Sequence, residues 1–256
     1  MLPRIKFSTS IAVCLLALSG AVTLCAQPRE VTDNNQVWFG YMTSTRINAN
    51  YSIWNDFHYV PEGFLVLRTG LTRHYKHTAI TAGYGHLWLP LSQANPVLKR
   101  NEQRPWAQVQ FNLPISERYS LLQRVRYDGR FRQHVKDGEL TNDYSFTNRL
   151  RFFMSVKRTL GYTEGKKTIP YVTISDEVLL NFGKDITWNT FDQNRISLML
   201  GIQRGNIQVQ SGYMNRFVQT GSAHFNQNHM FVVWVFHKFK LETGKARVQR
   251  QEIMHN

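Results

Sequence analysis

The chain has 256 residues, 31 Lys and Arg against 17 Asp and Glu, a net charge of +14, 42% hydrophobic and 13% aromatic residues. That length holds one large β domain or two small ones. Both cysteines, Cys14 and Cys25, fall near the start, which excludes disulfide and thiol chemistry from the rest of the chain.

The first 26 residues redirect the meaning of the charge. "MLPRIKFSTSIAVCLLALSGAVTLCAQ" has a basic start (Arg4, Lys6), an apolar stretch from Ile11 to Leu24 and small residues near Ala26. This is the pattern of a secretory signal peptide, 1–26, with cleavage after Ala26. The apolar run is too short for a spanning helix. Leu24 argues against lipidation at Cys25, where a small residue should precede. Removing Arg4 and Lys6 leaves 29 cations against 17 acids, or +12. An exported chain rarely meets nucleic acid, so no nucleic-acid partner is expected.

After an N-terminal periplasmic segment, 27–35, strand signals recur with turn signals between them and no amphipathic helix. The strands read as 36–45, 50–59, 63–74, 78–88, 104–113, 119–132, 143–157, 170–182, 192–203, 207–218 and 228–240. Most run about 10 residues, the length a tilted strand needs to cross a bilayer. The connections 75–77, 114–118 and 204–206 read short, 158–169 intermediate, and 89–103, 133–142, 183–191 and 219–227 long. Short turns on one side and long loops on the other mark an outer-membrane barrel. Eleven strands are visible, but bacterial barrels have even numbers. The expectation is therefore an all-β, antiparallel up-and-down transmembrane β-barrel over 36–240. Its count is about 12 strands (range 10–14), with the missing one in 27–36 or the long loops. The polar tail 241–256 is expected to be periplasmic.

Side chains alternate faces along a strand. In "LLQRVRYDGRFRQ" this puts Arg124, Arg126, Asp128, Arg130 and Arg132 on one face and Val125, Tyr127 and Phe131 on the other. The same parity argument sends Arg68, Arg149, Arg151, Glu177, Arg195 and Arg216 to the lumen, with Asp56, and Asp176 outward. Trp38, Tyr41, Tyr84, Trp88, Trp106, Tyr171, Trp234 and Phe239 sit towards strand ends, which fits aromatic belts, with ordinary packing an equal reading for each one singly. "GYGH" at 83–86 reads as close strand packing rather than a phosphate loop. No metal-ligand spacing, catalytic motif or cofactor fingerprint stands out.

The order "RPWAQVQF", "LLQRVRYDGRF", "TNRLRF", "ISDEVLLNF", "FDQNRISLMLGI" and "SGYMNRF" resembles the DUF2490 family of bacterial (Bacteroidetes-type) outer-membrane β-barrels, over about 33–240. The resemblance implies a barrel in the outer membrane and brings no established activity. Its pattern falls on Arg124, Arg126, Arg130, Arg149, Arg151, Glu177 and Arg195. Where the family often has an acid beside the second arginine pair, this chain has "YDGRF", with Asp128 in that role.

Three functions follow as expectations. The first is a narrow pore with a basic, anion-preferring lumen, since rings of Arg bias a pore towards anions. The second is a non-conducting structural or docking barrel filled by Arg–carboxylate pairs. The third, an outer-membrane lipid hydrolase, would need a Ser–His contact at one rim. Expected partners are outer-membrane lipid, the barrel-insertion machinery and small anionic solutes; no cofactor is expected.

Overall fold

A computed structural model describes residues 29–90, 99–161 and 167–241. The expected signal peptide and all but the first residue of the expected tail lie outside the described residues, as do 91–98 and 162–166. Eleven strands follow one another: β1 Glu30–Arg46, β2 Tyr51–Val60, β3 Phe64–His74, β4 Thr78–Pro90, β5 Lys99–Pro114, β6 Tyr119–Lys136, β7 Glu139–Thr159, β8 Thr168–Phe182, β9 Phe191–Arg204, β10 Ile207–Gln219 and β11 His224–Lys240. Consecutive strands pair antiparallel and the sheet closes into a barrel. The closing seam is different: β1 and β11 run parallel, from Glu30 opposite His224 to Arg46 opposite Lys240.

The seam accounts for the count. An odd number of up-and-down strands leaves the first and last pointing the same way, and a parallel ladder can still pair them. No twelfth strand is required, and the count falls within the expected range. Several boundaries differ from expectation: β5 begins at Lys99 and β11 at His224, earlier than expected, and two further differences change the wall. β1 begins at Glu30, so residues 30–35 belong to the wall rather than to a separate periplasmic segment. The expected long loop 133–142 is a two-residue hairpin, because β6 and β7 continue up to Asp137 and Gly138. These two residues have φ of 54° and 83°. A hairpin turn needs two positive values, and Asp-Gly supplies them at low cost. The 61–63 connection on the same rim is also short. The difference between rims therefore lies partly in strand length, not only in loop length.

The rim bearing 47–50, 75–77, 115–118 and 205–206 is called the turn rim here; that bearing 183–190 and 220–223 is the loop rim. Polarity is inverted relative to a water-soluble barrel. Leu71, Ile80, Val125, Phe152, Ile174, Leu198, Leu200 and Phe231 stand exposed on the outside. Their neighbours in sequence turn inward and are polar: Thr72, Thr81, Arg126, Arg151, Ser175 and Ser197 are all buried. Asp176 is exposed on the outer face, where it accepts a hydrogen bond from Asn194 Nδ2. Glycine at 83 is a packing necessity: a Cβ there would lie 2.0 Å from the Thr69 carbonyl oxygen and 2.6 Å from Gly70 Cα.

Candidate functional site: an ion-paired lumen with a basic vestibule

The lumen has an ionic half and an apolar half. The ionic half is built by β5 to β9, where alternation sends every second side chain inward. Glu102 is fully buried and gathers three guanidinium groups. Arg130 grips it with two bonds, Nε to Oε1 and Nη2 to Oε2, both 2.9 Å. Arg132 Nε donates to Oε2 at 3.0 Å, and Arg104 donates to Oε1. Glu177 also gathers three: Arg124 Nη2 at 2.7 Å, Arg151 Nη2 at 2.8 Å and Arg195 Nη1 at 3.0 Å. Asp128 lies between them, held by Arg126 Nε at 2.7 Å and 3.5 Å from Arg151 Nη1. Arg149 Nη2 donates to Asp192 Oδ1 at 2.8 Å. On β2 and β3, Arg68 Nε donates to Asp56 Oδ1 at 2.7 Å. Forked guanidinium–carboxylate bonds are the strong, directional kind that a buried charge requires.

The apolar half is made by Trp38, Val60, Met199, Met214, Met230 and Val232, with Phe64 and Trp234 packed against them. Arg195 joins the halves, with its guanidinium 5.1 Å from the centre of the Trp38 ring. A hydrogen-bonded chain joins them a second time: Trp38 Nε1 donates to His58 Nδ1 at 3.0 Å, and His58 Nε2 lies 3.4 Å from Asp56. Accepting at Nδ1 leaves the His58 proton on Nε2, towards that carboxylate.

Each residue predicted for the lumen faces inward, and all are joined by ion pairs except Arg216, whose Nε donates to Gln193 Oε1 at 2.8 Å. Sequence reasoning missed Glu102, Arg104 and Asp192. Glu102 lies in a segment read as loop and Arg104 at the first position of the strand read as 104–113, although their parity with Trp106 was available. Asp192 is the extra residue of a bulge, since Leu179 pairs with Gln193 and Leu180 with Phe191. A bulge re-aims a side chain against the strand's parity. The belt assignment also needs correction: Trp38, Trp106 and Tyr171 are buried inside, whereas Tyr41, Tyr84 and Phe239 are exposed.

All eleven strands contribute an inward side chain that is nearly inaccessible, from Trp38 on β1 through Glu102, Asp128 and Leu179 to Val232 on β11. In the half of the lumen nearer the turn rim, a cavity of about 550 Å³ opens. Its floor includes Trp38, Asp56, Arg126, Glu177 and Arg195, and its mouth Ser120, Asn112 and Lys238, which are exposed. Seven cations line it (Arg68, Arg124, Arg126, Arg151, Lys157, Arg195, Lys238) against two carboxylates, Asp56 and Glu177. The turn rim continues that sign: Arg46, Arg73, Lys76, Arg118, Lys157, Arg158, Lys167, Arg204, Lys238 and Lys240 face one acid, Glu117, among the described residues. The loop rim does not: outside the lumen network, among the described residues, Glu30, Asp33, Glu62, Asp137, Glu139, Asp143 and Asp185 outnumber Arg29, Lys99, Arg100, Lys136 and Lys184.

One contact bears on the hydrolase expectation. Ser52 Oγ lies 2.8 Å from His74 Nε2 in the vestibule wall. The hydroxyl belongs to a residue only 1% exposed, and none of the ion pairs found brings a carboxylate to His74.

Fold and site together define a closed, eleven-stranded β-barrel that is apolar outside and packed with arginine–carboxylate pairs inside. The chain belongs to DUF2490, described as a protein of unknown function, whose family model matches residues 35–228. No curated protein and no solved structure matches it.

Proposed function

We propose that the protein is an outer-membrane barrel that does not conduct, and that it works as a docking barrel offering a blind, basic vestibule at its turn rim. An outer surface of exposed Leu, Ile, Val and Phe on a closed wall supports the membrane setting, since lipid would cover that face and closure leaves no sheet edge. A single observation carries the non-conducting reading: every strand contributes at least one buried inward side chain. A water-filled passage would leave such side chains hydrated, and three guanidiniums on each of Glu102 and Glu177 cannot be parted cheaply.

The anion-selective pore has the excess of inward arginine in its favour, but Arg68, Arg124, Arg126, Arg151 and Arg195 are each held by a carboxylate. The hydrolase reading has Ser52 and His74 in its favour, but Ser52 is 1% exposed and no ion pair among the described residues brings an acid to His74. Purified protein reconstituted in planar bilayers tests the choice. Flat current traces are expected, and discrete unitary steps in the wild-type protein would restore the pore.

A further inference from the structure

The vestibule wall is chemically uneven. Between its cations stand hydroxyl and amide side chains from nearly every strand, among them Ser44, Thr81, Gln108, Thr173 and Gln210. Trp54, Phe153 and Phe236 add aromatic surface. Several polar atoms of the lining are buried without a partner: Arg124 Nε, Arg126 Nη2, Gln108 Oε1 and Trp234 Nε1. Native interiors rarely leave such atoms unpaired, and each one asks for an explanation.

We infer that this vestibule is a binding site for a polyhydroxylated anion of one or two sugar rings, carrying a phosphate or a carboxylate. Four features fit that ligand. The cavity of about 550 Å³ lies within the range of small-molecule sites. Counting Asp128 behind Arg126 with Asp56 and Glu177, the seven cations keep a surplus of four, which calls for negative charge. Closely spaced hydroxyl and amide groups can each donate and accept, as the hydroxyls of a sugar do, and the aromatic faces offer flat apolar surface to its ring. The basic turn rim surrounds the mouth, so its field draws anions towards the cavity. A small inorganic anion would leave the hydroxyl-lined and aromatic wall unused, and a neutral sugar would leave the charge unmatched. The inference rests on the blind-vestibule reading, because an open channel would give a ligand no floor.

Isothermal titration of the full protein in detergent at low salt, with glucose 6-phosphate, glucuronate, glucose and inorganic phosphate as probes, tests this. One saturable site is expected for glucose 6-phosphate or glucuronate, and the better of the two identifies the acid group. Glucose and inorganic phosphate should bind about tenfold or more weakly than it. The Lys157→Gln/Lys238→Gln double variant, which leaves the ion pairs of the lumen intact, should weaken binding by about tenfold, with heat-modified gel mobility unchanged. Inorganic phosphate binding as well as the sugar acids would overturn the polyol assignment. Unchanged affinity in the folded double variant would remove the site from the vestibule, and no saturable binding by any probe would end the inference. Conductance is measured separately: unitary steps would sink the blind-vestibule reading, whereas silent bilayers without binding would sink this inference alone.

Discussion

Glu177→Ala removes the carboxylate on which Arg124, Arg151 and Arg195 converge. The three guanidiniums lose their shared partner while their side chains stay 21%, 7% and 13% exposed. Arg151 keeps a weaker contact, 3.5 Å from Asp128, and Arg195 keeps a bond from Nε to Gln193. Arg124 keeps only the ring of Phe153, 4.7 Å away. Breaking a buried pair by deleting one partner costs about 3–5 kcal/mol, because the charge left behind is unmatched. Three stranded charges, two with residual contacts, put the loss at the upper part of that range. Urea unfolding in detergent, followed by tryptophan fluorescence and by heat-modified gel mobility, reads it as a lower midpoint. A matched variant separates charge from volume: Arg124→Met on the Glu177→Ala background should recover part of the loss, since an apolar side chain needs no partner. A loss below about 1 kcal/mol for Glu177→Ala, the range of exposed pairs, would refute the view that this carboxylate holds the lumen shut.

Other substitutions probe different parts of the molecule. Gly83→Val drives a side chain against the Thr69 carbonyl and Gly70, and an overpacking cost of about 1–3 kcal/mol or more is expected in the same unfolding assay. Gly138→Val forces a β-branched residue to φ of 83° at the tip of the β6–β7 hairpin; a loss of about 1–2 kcal/mol should appear there without any change in bilayer behaviour. Ser52→Ala should leave protein-dependent release of p-nitrophenol from p-nitrophenyl esters at the detergent background, as in the wild type. Wild-type turnover that the substitution abolishes would reinstate the hydrolase.

Much of the wall was legible because one physical rule, alternation, acts identically on every strand. Reading parity through Arg124–Arg132, Arg149–Lys157 and Tyr171–Asn181 was enough to say which side chains meet inside. The strands themselves were visible one by one, and the general rule of even numbers pulled the count away from them. The hidden parts have local causes. Glu102 and Arg104 sit where β5 begins before its apolar alternation does. Asp192 obeys a bulge rather than a parity, and a bulge has no composition of its own here. The apolar half of the lumen did leave a trace: from Met230 to Phe236 every residue of β11 is apolar, so both faces of that strand avoid water. An interior that was expected to be polar throughout disguised it as a belt.

The parallel seam decides where the chain enters and leaves. An even wall is a set of complete hairpins and returns the chain to the rim where it started. This wall is five hairpins and one strand more, so Arg29 stands at the loop rim and Leu241 at the turn rim. In a wall that spans a bilayer, whatever is joined before β1 and whatever is joined after β11 therefore face different compartments. The mouth of the vestibule opens on the side of Leu241, away from Arg29.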